Sequence, residues 1–274
     1  MVIHPDFSSG ISFVVENFLS SNYEVKTDKW QGIKAPMPMR ESLNTFFQVH
    51  IPFTTEELIS QVKPNLAWAD FHFEERVGGR PLNPGKSYLK WPFYGRDKEM
   101  RNVENKFTHT YMERFWPKCA GQYSDEDLTN PKYMGEIYSS NRGIRYEYGD
   151  LHDLIHHLKN DPYSRQAFLP IWFPEDTGVK HGGRVPCSIG YHFILRFGVL
   201  NMVYYIRSCD LLRHFRDDIY LAVKLLYYIL SKLRKEEVWQ NVLPGVFTMH
   251  ITSLHIFAQE LNVLTKSFSN EPNI

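Results

Sequence analysis

Two β-rich runs, 185–197 and 200–206, meet at Gly198 and predict a hairpin. Close behind them lies a strongly amphipathic helix. Asp217 and Asp218 stand at its start, Ile219, Ala222, Val223, Leu226, Ile229, Leu230 and Leu233 form one apolar face, and Lys232, Arg234 and Lys235 lie near its C-terminal end, where the helix dipole favours cations. Pro244-Gly245 opens a further strand over 246–251, and Ser253 is placed to cap a last helix from His255. An apolar helix face of this width needs a sheet or another helix to cover it. The strands and helices follow one another without a regular βαβ rhythm, so the expected class is α+β, a mixed sheet packed with helices.

Upstream, Thr54-Thr-Glu-Glu-Leu58 reads as a capped helix start that breaks at Pro64, resumes through Trp68 to Val77 and ends at Gly78. Residues 80–135 are rich in Pro, Gly, Asn and aromatics and read as long surface connections, a functional insertion rather than a linker. A short helix over about 150–160 carries Leu151, Leu154, Ile155 and Leu158 on one face and stops at Asn160-Asp-Pro162. No internal repeat or low-complexity tract interrupts the chain, and residues 1–274 are read as one domain.

Composition excludes several classes. Lys+Arg and Asp+Glu both number 31, which is wrong for a protein that coats nucleic acid by charge. With 43% hydrophobic and 23% charged residues the chain is not disordered, and 15% aromatics suit a packed core or a pocket for flat ligands. The most apolar stretch, 219–233, is too short to span a bilayer and is broken by Lys224 and Lys232. No signal peptide is read at the N-terminus. Cys119, Cys187 and Cys209 form neither a disulfide framework nor a CxxC pair, so a reducing cytoplasm is the economical reading.

Chemistry concentrates around Cys187, in Arg184-Val-Pro-Cys-Ser-Ile-Gly190. Taken alone, such a cysteine is a small buried apolar residue, and a single arginine is a surface ion pair. Arg165, Arg184 and Arg207-Ser208 nearby alter that reading: guanidinium groups lower a thiol pKa, and together with a hydroxyl they make a phosphate site. His152 and His156 have a helical spacing that metals use, yet no third ligand accompanies them and no metal site is assigned. Walker, Gly-rich phosphate-loop and G-x-S-x-G patterns are absent from the sequence.

Arg165-Gln-Ala-Phe-Leu-Pro170, Arg184-Val-Pro-Cys-Ser188, Asn201 to Asp210, Asp218-Ile-Tyr-Leu-Ala222 and Ser253-Leu-His-Ile-Phe257 follow in order. In this combination the chain resembles the thymidylate synthase family, which includes the phage deoxycytidylate (dCMP) hydroxymethylases; the match is good over about 136–258 and poor before it. The resemblance implies a thymidylate synthase-like fold with its sheet at a homodimer interface, and 5,10-methylenetetrahydrofolate as one-carbon donor. It makes Cys187 the nucleophile that adds to C6 of a pyrimidine nucleotide, so that C5 can attack the one-carbon unit. Arg207 and Ser208 would bind the phosphate, and Arg165 would reach the phosphate of the partner subunit. Asp210 would hold base and folate, His255 the sugar 3′-hydroxyl, and Tyr138 stands at the spacing of the family's active-site tyrosine. The catalytic glutamate falls in the poorly matched half, where Glu75 is the first choice and Asp70 and Glu74 follow.

Asp218 departs from the resemblance. Thymidylate synthases carry Asn here, facing uracil O4 and N3–H, whereas the dCMP hydroxymethylases carry Asp. Cytosine reverses that edge, and a carboxylic acid can donate to N3 and accept from N4. The bland alternative is a helix N-cap, a task Asp217 could perform alone. Phe257 replaces a tyrosine that contacts the sugar, and little chain follows it to form a lid over the folate, which suits completion by water rather than hydride. The expected activity is folate-dependent hydroxymethylation of dCMP at C5, by a phage-encoded enzyme acting in a bacterial host. Methylation of dCMP, thymidylate synthesis on dUMP, and a non-catalytic nucleotide-binding regulator are the alternatives.

Overall fold

In the computed structural model, residues 2–30, 33–91, 106–120, 149–177 and 184–269 are described. After a short strand β1 (Ile3–His4), helix α1 runs over Phe7–Ser21, capped by Asp6, whose carboxylate accepts from Ser9 N at 2.7 Å. Strands β2 (Tyr23–Trp30) and β3 (Ile33–His50) form an antiparallel pair. The capped helix splits as its sequence predicts: α2 covers Thr55–Val62 with a Thr54/Glu57 capping box, and α3 covers Leu66–Val77. Helices α4 (Tyr111–Phe115) and α5 (Leu151–Asn160) follow, then strand β4 (Phe168–Pro170).

Strands β5 (Ser188–Arg196) and β6 (Val199–Asp210) are the expected hairpin, with Arg196 opposite Val199. Phe197 and Gly198 turn it at φ 52° and 75°, both in the left-handed region that a two-residue hairpin turn requires. The amphipathic helix is α6 (Phe215–Leu233), with the whole predicted apolar face buried. Strand β7 (Leu243–Phe257) and helix α7 (Leu261–Ser269) complete the order.

The seven strands among the described residues form one mixed sheet in the order β1-β3-β7-β6-β5-β4, with β2 added to β3, so the fold is α+β as expected. β6 and β7 run parallel at its centre, and β7 is antiparallel to β3 on its other side. Phe47, Val49, Tyr191, Phe193, Met202, Tyr204, Phe247 and Met249 point to one face and are buried in one cluster with α1 and α6. Alternate residues of the same strands make the opposite face, where rings from neighbouring strands approach: Phe168–His192 at 5.9 Å, Phe168–Tyr205 at 6.4 Å and Tyr205–His250 at 6.4 Å.

Three expectations are corrected. Ser253 and His255 do not begin a helix; they lie in β7, which runs six residues beyond the expected strand end at 251, because pairing on both edges and the burial of Ile251, Leu254 and Ile256 extend the strand. Neither Asp217 nor Asp218 caps α6, whose N-cap is His214; Asp217 instead accepts from Asn65 N at 2.8 Å and ties down the start of α3. The described part of 80–135 is not a surface connection: Leu82, Trp91, Phe107, Met112, Phe115 and Trp116 are buried.

Candidate active site

A cavity of about 450 Å³ opens where the C-terminal ends of β6 and β7 meet the start of α6, the face of α3 and the segment preceding β5. The hairpin explains how Cys187 comes to lie here. Cys187 immediately precedes β5, so the β5–β6 register sets it beside Arg207, whose N–H donates to the Cys187 carbonyl at 2.9 Å. The Arg207 guanidinium also donates to the carbonyls of Pro186 at 2.8 Å and Val185 at 2.9 Å. The parallel β6–β7 register adds Ser208 opposite Ser253 and Asp210 opposite His255, and Ser208 Oγ lies 3.5 Å from His255 Nδ1. One turn into α6, Asp218 faces the same space.

Cys187, Arg207, Ser208, Asp210, Asp218 and His255 are therefore brought together, with Arg184. Arg165 is not among them; it is exposed beside β4 at the far edge of the sheet. Tyr138 lies outside the described residues. The Asp210 carboxylate accepts from Leu212 N at 3.1 Å, Arg213 N at 2.9 Å and the Arg213 guanidinium at 3.0 Å, so it organises the turn into α6. Phe257 packs beneath Arg213, whose guanidinium carbon is 4.6 Å from the ring centroid. The helix-spaced His152 neighbours Asp150 and Asp153, but these two carboxylates form the cap of α5 and Lys118 binds Asp153 at 2.6 Å.

The carboxylate expected from α3 is not in the cavity. Trp68, His72 and Arg76 line it at successive i, i+4 positions, the spacing of one helix face. Asp70 sits on another face, accepting from Tyr220 Oη at 2.6 Å, and Glu74 is exposed. Glu75 turns toward Ser87, accepting from its N at 3.1 Å and its Oγ at 2.5 Å. The His72 ring stacks on Trp68 with centroids 4.7 Å apart, and its Nδ1 lies 3.0 Å from Ser87 Oγ.

Sequence reasoning missed Arg76, His72 and Tyr111. Arg76 is 4% exposed, its guanidinium carbon lies 4.0 Å from the Tyr111 ring centroid, and its Nε has no hydrogen-bond partner among the described residues. Tyr111 accepts from Ser188 Oγ at 3.1 Å, directly beside the cysteine. A buried cation without a carboxylate on it is costly unless a ligand completes it. The i, i+4 pattern Trp68, His72, Arg76 was readable, but only the cavity distinguishes it from a solvated face.

Electrostatics revise one expectation. Burial pushes the Cys187 thiol up, and Arg207 and Arg184, which pull it down, do not overcome that; Asp218 adds to the rise. The resting sulfur is a thiol, and the expected low pKa is corrected because desolvation exceeds the arginines' attraction. Burial also raises Asp218, to about 7, against the pull of Arg76, and Asp217 adds to the rise. The acid and the carboxylate are thus both accessible near neutrality. Cys209 Sγ lies 3.5 Å from Asp218 Oδ2. His72 is held well below its usual value by burial first and Arg76 second, so it is neutral.

The family model for thymidylate synthase matches residues 89–274. The chain is 28% identical over 127 residues to a thymidylate synthase of Rhodopseudomonas palustris, covering 46% of this chain and 40% of the relative. It is 29% identical over 188 residues to a bifunctional dihydrofolate reductase-thymidylate synthase of Paramecium tetraurelia, covering 64% of this chain and 37% of the relative. The chain thus spans about two fifths of the length of these curated relatives. Among solved structures it is similar to the thermostable thymidylate synthase A from Bacillus subtilis, with a TM-score of 0.66 and 15% identity over 97% of this chain and 85% of that one. At that identity the likeness speaks for the fold.

Proposed function

The chain belongs to the thymidylate synthase family, and from that premise we propose that it is a one-carbon transferase that hydroxymethylates C5 of dCMP. The observation that carries the reading is the meeting of Cys187, Arg207, Ser208 and Asp218 around one cavity. The Cys187 thiol gives up its proton to solvent as its sulfur adds to C6 of the pyrimidine, and the electron pair this places on C5 makes that carbon a nucleophile. Arg207, Arg184 and Ser208 bind the phosphate, and His255 meets the sugar. Asp218 in its acid form donates to cytosine N3 and accepts from N4; its rise to about 7 supplies that form near neutrality.

Methylenetetrahydrofolate is the proposed co-substrate, supplying a one-carbon unit at the oxidation level of formaldehyde. The cavity suits a flat heteroaromatic of this kind: Trp68, Tyr88 and Trp91 line it, and the buried Trp68 Nε1–H has no acceptor among the described residues. Residues 1–274 act as one domain in this reading, and the protein works as a homodimer. The aromatic outer face of the sheet would meet its copy there, with Arg165 at the far edge able to reach the partner's phosphate site.

The second reading is thymidylate synthesis on dUMP, favoured by the names of the relatives and opposed by Asp218. Tritium release from C5-labelled dCMP and dUMP with methylenetetrahydrofolate, with products weighed by mass spectrometry, separates the two. Release from dCMP with a gain of CH₂O is expected, and Cys187→Ser should abolish it while nucleotide binding persists. Release from dUMP alone with a gain of CH₂ would replace the proposal with the second reading.

A further inference from the structure

The cavity face of α3 carries a hydrogen-bonded chain that ends in a carboxylate outside the cavity. Ser87 Oγ donates its single proton to Glu75 Oε2 at 2.5 Å, so toward His72 Nδ1, 3.0 Å away, it can only accept. This puts the ring proton of His72 on Nδ1 and the lone pair on Nε2, which has no partner among the described residues. The ring is clamped by Trp68 on its face and by Tyr88, whose ring meets it edge-on with centroids 5.5 Å apart. His72 is 1% exposed and lines the cavity with Cys187.

We infer that His72 is the proton-transfer residue at C5 of the bound pyrimidine, with Ser87 and Glu75 as the relay that positions it and receives its proton. The inference rests on the Cys187 adduct proposed above. In that adduct, before any one-carbon unit joins C5, sulfur is bonded to C6 and C5 carries a proton taken from solvent beside its own. Nε2 of His72 takes the proton from C5, the electron pair of the broken C5–H bond re-forms C5=C6, and the C6–S bond breaks with its pair leaving on Cys187. Nδ1–H passes to Ser87 Oγ as the Ser87 hydroxyl proton passes to Glu75, whose carboxylate ends as the neutral acid.

This route never leaves an imidazolium in the cavity. That matters because the Arg76 guanidinium is buried one helical turn away and opposes a second positive charge there. A carboxylate facing the cavity would do the same job directly; here α3 holds its carboxylate two bonds of the relay away. The close fit around Glu75 supports a fixed role. A side chain at Gly85 would overlap its Oε2 and stand 2.8 Å from Met112 Cε, so a glycine leaves the room in which the carboxylate reaches Ser87.

The test is exchange of the C5 proton of dCMP and dUMP in deuterated buffer, without folate and with methylenetetrahydrofolate, followed by mass spectrometry on the full chain. Wild type is expected to exchange and Cys187→Ser is not. His72→Gln and His72→Asn should each slow exchange by about 10²–10⁴-fold, with nucleotide Kd unchanged. Asn can still donate to Ser87, so a purely structural histidine would be rescued by it, and that rescue would overturn the inference. Glu75→Gln keeps an acceptor for Ser87 and loses only basicity; exchange should fall by about 10²-fold at unchanged Kd. If His72 variants do not fold, Glu75→Gln and Ser87→Ala decide: wild-type exchange in both overturns the relay. Exchange that depends on Cys187 but not on His72 or Glu75 refutes this inference alone, whereas no exchange in wild type refutes the adduct and the relay with it.

Discussion

Arg207 donates from Nε to the carbonyl oxygen of Pro186 at 2.8 Å, so an arginine proposed to bind the phosphate also braces the residue before Cys187, the proposed nucleophile. Its second contact, to Val185 at 2.9 Å, makes the brace a fork across two carbonyls. Lysine has one point charge and cannot span both. Arg207→Lys should therefore lower Tm and weaken nucleotide binding by about tenfold or more, since a hydrogen bond from a charged group contributes about 1.5–3 kcal/mol. Calorimetry with dCMP and a thermal melt check this; a variant equal to wild type in both would show that the brace carries no weight.

Asp218→Asn should move base preference from dCMP toward dUMP, because the amide presents a donor where cytosine also presents one. Each mismatched buried polar pair costs about 1–3 kcal/mol, a preference change of about 5- to 150-fold in kcat/KM. An unchanged preference would remove Asp218 from base recognition.

The same substitution has a pH signature. Folded Asp218 holds its proton up to about pH 7, whereas the ordinary value is 3.8. Between those values the native state binds a proton that the unfolded chain has lost. Stability present below the ordinary value is lost as pH rises through the folded one, at about 1.4 kcal/mol per unit. The Tm of Asp218→Asn relative to wild type should therefore climb from about pH 4 to about pH 7 and then level off. A constant gap would mean that Asp218 is not held protonated.

If Arg165 serves the partner's site, two inactive variants should complement one another. Arg165→Ala mixed in equal amounts with Cys187→Ser should regain about a quarter of wild-type activity after dissociation and reassociation, because half the dimers are mixed and each holds one intact site. No recovery, with mixed dimers demonstrated by mass, would place Arg165 outside the neighbouring site.

Arg114 and Asp176 form a buried pair, with Nη1 to Oδ2 at 2.8 Å and Nη2 to Oδ1 at 2.9 Å, that fastens α4 beside the turn at Phe173. Asp176→Ala leaves the guanidinium buried without its carboxylate and should cost about 3–5 kcal/mol in denaturant unfolding. A loss below about 1 kcal/mol, the level of an exposed pair, would contradict the burial.

The hairpin at Gly198, the capped helix at Thr54, α5 and the amphipathic α6 were legible because each is local. Turn residues, caps and apolar periodicity lie within a few residues of what they determine. The long β3 escaped notice because Pro36, Pro38 and Asn44, the last at φ 54°, break the alternation that marks a strand, and β7 makes up for it by pairing over residues 39–50. Ser253 and His255 failed for the same reason in reverse: a local cap signal lost to pairing on both sides of the strand.

At the site, the sequence by itself determined that Cys187, Arg207, Ser208 and Asp218 come together, because they sit in one hairpin and the helix after it, where register follows from short connections. Only the tertiary structure decided which face of α3 meets them. Glu75 and His72 are three residues apart on that helix, and sequence favoured the acid; packing turned His72 inward with Trp68 and Arg76 and left Glu75 bound to Ser87. The thiol pKa was likewise beyond sequence, since charge can be counted along a chain but desolvation exists only once distant segments close over the sulfur.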